Sequence, residues 1–165
     1  MGGDSAGVAG LDVTIRRDPK VFLNGKFLIG YTSSFRMGQI LRFKFEPPPI
    51  PRKQDLLFQY MCTTFVDRAR KALKKGGFSE VSSNVESGGT FLVGIQGHLF
   101  SVQSDFQVEE SAEDFNSVGC GDSYALGALA VQPPGHDPEK RVRQALQVAE
   151  KFSGGVRGPF LIMTV

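Results

Sequence analysis

The sequence predicts an α+β fold with helices and strands segregated into layers. Three observations carry this. The chain has 165 residues, 41% apolar and 22% charged, an ordinary globular composition at a length that buries a core without metals or disulfides. Its texture runs in blocks, first strand-like, then helical, then strand-like, then helical, with a last strand-like run, where βαβ units would interleave the two. No long linker, low-complexity tract or repeat of roughly 20–50 residues divides it, so a single domain over 1–165 is expected.

The first third reads as β. Val13 to Arg16, Lys20 to Leu23 and Lys26 to Tyr31 are short β-branched or aromatic runs. Asn24-Gly25 between the last two is a hairpin signal, because both residues tolerate positive φ. Ser34 can cap a helix whose Phe35, Ile40, Leu41 and Phe45 fall near helical spacing. Pro47, Pro48, Pro49 and Pro51 end it. A second helix is expected from about Lys53 to Lys75, with apolar residues recurring at three and four from Leu56 to Leu73. Arg68, Arg70, Lys71, Lys74 and Lys75 gather in its last turns, where the dipole favours cations, and Gly76-Gly77 supply the stop. That basic cluster reads as a solvated helix end.

β texture returns in Thr90 to Ile95, Leu99 to Ser104 and Phe106 to Val108, with Gln96-Gly97-His98 as the first turn. The segment Ser117 to Val131 turns on two glycines and enters a helix at Asp122 or Ser123, which Pro133-Pro134-Gly135 breaks. Asp137 or Pro138 opens the last helix, through Phe152, and Phe160 to Val165 reads as a closing strand. Helix Ser34–Phe45 carries more apolar surface than one core-facing stripe requires. It is either a contact between subunits or buried between the sheet and the next helix.

Composition narrows function by exclusion. With 19 basic and 17 acidic residues the net charge is +2, too little for a nucleic-acid or anionic-membrane field. Two cysteines make no disulfide framework, so a reducing cytoplasm is expected. No run of eighteen apolar residues exists, and MGGDSAGVAG has neither the basic nor the apolar stretch of a secretion signal. No membrane and no nucleic-acid partner are therefore expected.

Few residues stand out for chemistry. Asp4 and Lys20 can form a pair in which the carboxylate holds the ammonium, although such a spacing alone reads as a surface ion pair. Cys120, between Gly119 and Gly121 at a helix start, has the position of an activated thiol, or of a small residue at a tight turn. Gly119-Cys120-Gly121 is too short for a phosphate loop. His98 and His136 have no partner at ligand spacing, so no metal and no cofactor are expected. Ser5, Ser33 and Ser34 lack a nucleophile-elbow motif.

Four blocks resemble the proteasome β-subunit and HslV group of N-terminal-nucleophile hydrolases. GGDSAG at Gly2–Gly7 is similar to the family's Gly-Asp segment, and DPKVF at Asp18–Phe22 to the segment with its active-site lysine. FLIGYTSSFRMG at Phe27–Gly38 resembles the strand, oxyanion turn and first helix. SVGCGDSYALGAL at Ser117–Leu129 resembles the G-S-G-x-x-x-A turn into a helix. The blocks span nearly the whole chain in order, and the Asp4 to Lys20 separation matches the family's. The resemblance implies a four-layer αββα sandwich and a threonine peptidase subunit that assembles into a homo-oligomeric ring. It implies a polypeptide substrate and allows an ATP-dependent unfoldase as partner. It implies that Lys20 orients the nucleophile, that Asp4 holds Lys20, that a backbone N–H near Ser33 stabilises the oxyanion, and that Cys120 supports the amino terminus.

Three departures accompany the resemblance. The sequence starts at Met1, inside the family pattern. The first strand and its leading threonine, about a dozen residues where a strand takes five or six, are absent from the sequence as given. The chain in this form is therefore expected to be inactive. Cys120 replaces a serine, and no acid stands between Lys151 and Gly155. The alternative is a non-catalytic structural or assembly subunit of the same fold, as in a phage or other large particle. The retained Asp4 and Lys20 favour the enzyme.

Overall fold

The computed structural model describes residues 1–82, 85–133 and 135–164, and its centre is a five-stranded antiparallel sheet. β4 (Val21–Asn24) and β5 (Phe27–Tyr31) form the hairpin signalled by Asn24-Gly25. The turn itself is Gly25 and Lys26, with Gly25 at φ +59°, the type II′ arrangement in which the first central residue needs positive φ. β8 (Phe91–Ile95) pairs with β5 and turns through Gln96 and Gly97, both at positive φ, into β9 (His98–Val102). Two such residues already reverse the chain, so His98 starts the strand and is not part of the turn. β10 (Val108–Glu110) completes the order β10-β9-β8-β5-β4. The expected run from Phe106 begins at Val108, because Phe106 sits at φ +67° in the turn closed by its N–H to the Gln103 carbonyl.

Alternation gives this sheet two different faces. Phe27, Ile29, Tyr31, Phe91, Val93, Phe100 and Val102 point into the main core. That core is closed by α1 (Phe35–Phe43), by the short α2 (Leu57–Tyr60), by a π-turn at Met61–Phe65 and by α3 (Val66–Lys75). Ser34 caps α1 by accepting the Arg36 N–H. The expected second helix is one continuous run whose first turn, Gln54–Leu56, is 3₁₀ and whose middle widens so that Met61 and Phe65 are both fully buried. The excess apolar surface of the expected helix Ser34–Phe45 goes into this core: Met37, Ile40 and Leu41 of α1 and Phe45 just beyond it are buried, and Phe43 alone is strongly exposed. Lys71, Lys74 and Lys75 are solvated at the end of α3, and Arg70 is tied to Glu86.

The opposite face carries Leu28, Gly30, Leu92, Gly94 and Leu99, and looks toward α4 (Asp122–Ala130) and α5 (Pro138–Phe152). Asp137 caps α5 through the Glu139 N–H. α4 and α5 make a second, smaller core from Ala125, Leu129, Ala145, Ala149 and Val156. Between these layers lies a ribbon of β1 (Gly2–Gly3) and β11 (Leu161–Ile162), antiparallel and packed on α5. The stacking is helix, sheet, ribbon, helix, which is the αββα order. β11 is shorter than the run Phe160–Val165; Pro134 and Val165 lie outside the described residues.

β1 carried no signal, since two glycines offer no side-chain pattern. β2 (Ala6–Ala9) pairs with the expected β3 (Asp12–Ile15) through Gly10 and Leu11. β6 (Glu80–Ser82) and β7 (Val85–Ser87) form another hairpin, whose Glu80 to Ser82 are all exposed and so show no buried alternation.

Candidate active site

β1 ends just before Asp4 and β4 begins just after Lys20, and the two side chains meet. Lys20 Nζ donates to Asp4 Oδ1 at 2.8 Å. Asp4 Oδ2 accepts the Ala6 N–H at 2.8 Å and the Arg157 N–H at 3.3 Å. The side chains are 13% (Asp4) and 17% (Lys20) exposed, which removes this pair from the class of solvated surface ion pairs. A carboxylate with three donors is fixed in direction, and it fixes the ammonium in turn.

Aromatic packing supports Lys20 from the side. Its Nζ lies 5.7 Å from the Phe35 ring centroid, and the Arg16 guanidinium stacks 3.8 Å over the same ring. Asp18 grips Arg16 with two 2.8 Å bonds, and this holds the Asp18 carboxyl below the usual carboxylate range. Tyr31 meets Phe35 edge-on at 6.0 Å. Burial pushes the Tyr31 hydroxyl up to about 12, so it stays protonated at neutral pH.

Cys120 is exposed at the turn into α4, flanked by Gly119 at φ +112°. A Cβ at Gly119 would sit 2.9 Å from Thr32 Oγ1, so the turn closes directly on the end of β5. Gly155 lies against Cys120: a Cβ there would stand 3.0 Å from the sulfur. Ser153 Oγ donates to the Cys120 carbonyl at 3.1 Å and accepts the Gly155 N–H at 3.2 Å. Glu150 Oε1 accepts the Gly158 N–H at 2.8 Å. The loop after α5 is thus tied to Cys120 by Ser153, to Asp4 by Arg157 and to α5 by Glu150.

Asp4, Lys20, Thr32 and Cys120 line one cleft of ≈ 420 Å³ between the sheet and the α4–α5 pair. Ser33 does not line it. Ser33 sits at φ +69° beside Thr32, and its hydroxyl accepts the Thr90 N–H at 3.3 Å. Three of the four expected residues therefore share the cleft, and the fourth adjoins it through its neighbour. Glu150, Ser153 and Arg157 went unnoticed in the sequence. Glu150 lies one residue before the stretch that was empty of acids, and Ser153-Gly154-Gly155 is a small-residue turn whose signal was available. The far end of the cleft carries Arg141, which donates to Asp114 at 2.7 Å and holds that carboxyl low. Among the described residues no three His, Cys, Asp or Glu side chains cluster as a metal site, and no helix is long and apolar enough to cross a membrane.

No protein-family model and no curated protein matches the chain. Solved structures do. BPH of Thiobacillus denitrificans superposes with a TM-score of 0.78 at 23% identity, covering 97% of this chain and 88% of that one. The same protein in complex with epoxomicin gives 0.77. Eukaryotic HslV from Trypanosoma brucei gives 0.64 at 17% identity over 96% and 88% of the two chains. The chain has the proteasome/HslV-like Ntn-hydrolase fold. Anbu, an ancestral β-subunit from Yersinia bercovieri, shares the HslV-like fold more distantly, with a TM-score of 0.58 at 12% identity over 96% of this chain and 73% of that one. Within this fold, a fixed ammonium facing an apolar cleft can stabilise a developing alkoxide or oxyanion far more than it would in water.

Proposed function

We propose that this chain is a proteasome/HslV-like threonine peptidase subunit, forming one domain over 1–165, whose nucleophile belongs to a threonine-led strand beside β1. The observation that supports it is the Asp4–Lys20 pair, mostly buried, pointing into the cleft that Cys120 closes. A purely structural subunit gains little from such a pair, because desolvating two charges costs about as much as their attraction returns.

In this reading the threonine hydroxyl attacks the substrate carbonyl carbon and its proton passes to the threonine's own α-amino group. The tetrahedral oxyanion is met by a backbone N–H at the Thr32–Ser33 turn. Collapse expels the amine half of the substrate with that proton and leaves an ester, which water cleaves. Lys20 keeps the hydroxyl oriented and stabilises it as it loses its proton. Asp4 keeps Lys20 in place. Cys120 and Ser153 shape the wall beside the α-amino group. The 165 residues contain no threonine with a free amino group, so the chain as given is inactive in this reading. Supplying a threonine-led strand ahead of Gly2 confers peptide hydrolysis, and Lys20→Ala removes it. An extended chain that folds and stays inert would support the structural alternative. The subunit is further proposed to act in a cytoplasmic homo-oligomer on polypeptide delivered by an unfoldase, as the likeness to HslV and BPH suggests.

A further inference from the structure

We propose that the outer face of α1 and α3, across the sheet from the cleft, docks an acidic segment of another protein around Phe43. Charge is divided unevenly along the chain. Residues 35–77 hold ten of the 19 basic residues and three of the 17 acidic ones, a net +7, and the remainder is −5. Among the described residues only Arg70 of those ten pairs with a carboxylate. By contrast, eleven of the 14 acids outside 35–77 already accept a hydrogen bond within the subunit. A second copy of this chain therefore has few acids to offer, and the carboxylates that meet this face come from a different protein.

Helix geometry gathers the free cations on one surface. On α3, Arg68, Lys71 and Lys75 are exposed at intervals of three and four, opposite the buried Val66, Ala69 and Leu73. α1 lies antiparallel beside it: Arg36 at its start donates to the Gly76 carbonyl at 2.7 Å, and Phe45 beyond its end meets Phe65 at 5.2 Å. Arg36 and Phe43, seven residues apart, share a side of α1, and the Arg36 bond turns that side toward α3. Phe43 is 72% exposed, with the Arg42 guanidinium 4.9 Å over its ring. The helix dipole accounts for Lys74 and Lys75 in the last turn of α3, but not for Arg68 and Lys71 before it. Like charges three and four residues apart weaken a helix, so this stripe opposes the element that carries it. An acidic partner turns that repulsion into attraction. An exposed aromatic ring bordered by arginine and lysine has the anatomy of a protein interface, with an anchor for an apolar side chain and a rim that sets orientation and rate. A phosphate chain fits less well, because the exposed Glu46, Asp55 and Asp67 stand among the cations. The partner is thus an acidic segment with interspersed apolar residues. This is independent of the peptidase reading and holds in a chain that cleaves nothing.

The test titrates the full chain into a rhodamine-labelled peptide of about twelve residues, two glutamates to each leucine, long enough to lie along α3 as a helix. Saturable binding with Kd of roughly 1–100 μM at low salt is expected, weakening as salt rises. Lys71→Glu combined with Lys75→Glu weakens it by about tenfold or more, and Phe43→Ser by about threefold or more. Lys140→Glu combined with Lys151→Glu on α5 makes the same change in net charge and leaves binding unaltered. All four lysines are exposed, so both double variants keep the fold. Amide resonances of Arg36, Phe43 and Lys71 shift in the parent protein, which locates the peptide without any variant. Absence of saturation at about 1 mM, equal weakening by the α5 pair, or shifts confined to another surface would overturn the proposal. Equal binding of the peptide with serine in place of leucine, or tighter binding of an oligothymidylate, would overturn it too.

Discussion

Gly38 shows how a single residue can oppose its own helix. It lies within α1, where alanine is favoured over glycine by about 1 kcal/mol. A Cβ there would clash with the ring of Tyr31, which is 7% exposed and packed between Phe22 and Phe35. Overpacking a closed core costs about 1–3 kcal/mol or more, so sterics win. Gly38→Ala is expected to lower the urea midpoint, with an unchanged slope, by a net loss of about 1–2 kcal/mol. A midpoint at or above the parent's would contradict the packing. Glu86 gives a pH-dependent case. Hydrogen bonds from Arg70 and Ser79 hold its carboxyl below its ordinary value. A depressed acid contributes stability above its unfolded pKa, and that contribution is lost as pH falls through the folded one. Glu86→Gln is therefore expected to cost about 1 kcal/mol at pH 7, and the two proteins should converge as pH falls below the ordinary carboxylate range and through the lowered value of Glu86. A difference that persists in acid would mean that packing, not charge, is at work.

At the scale of elements, the helix from Leu57 to Lys75 shows what holds the main core. Phe65, at the end of its widened turn, is fully buried, with its ring centroid 5.1 Å from a tilted Phe27, 5.2 Å from an edge-on Phe45 and 6.4 Å from a tilted Tyr60. Phe65→Ala removes three aromatic contacts that join the segment after α1, the sheet and this helix, and should cost about 3–5 kcal/mol in chemical denaturation. A loss below about 1 kcal/mol would mean that the core collapses around the gap. This helix, α1 and the central hairpins were legible because side chains at a period of 3.6 or 2 write their environment into the sequence. β1 was not, because Gly2-Gly3 writes nothing. Asp4 and Lys20 were visible as a pair only through a spacing shared with a known family. The loop that steadies Asp4 through the Arg157 N–H acts from 153 residues away by a backbone atom, and no side-chain pattern records that. The apolar surplus of α1 was read two ways, and burial against the sheet and α3 accounts for it.

The whole molecule has one well-filled core on the α1–α3 side and a cleft on the other, and its proposed chemistry depends on what the cleft receives. Assembly is the first matter at this scale. With α1 buried, exposed apolar residues remain on the β2–β3 hairpin, where Val8, Leu11, Val13 and Ile15 are open to solvent. An isolated two-stranded hairpin is marginal in water. Sedimentation at micromolar concentration is expected to show a species heavier than one subunit, shifted toward monomer by Leu11→Asp. A lone monomer in both proteins would reject the ring. The central claim is that Asp4 and Lys20 serve a nucleophile in the cleft, and its most direct measure is hydrolysis of a fluorogenic peptide by the chain extended with a threonine-led strand ahead of Gly2. Turnover is predicted in the extended chain, none in the 165-residue chain, and a fall of about 10³-fold or more for Lys20→Ala in the extended one. Hydrolysis by the short chain, or by the extended chain carrying Lys20→Ala at an undiminished rate, would contradict the mechanism.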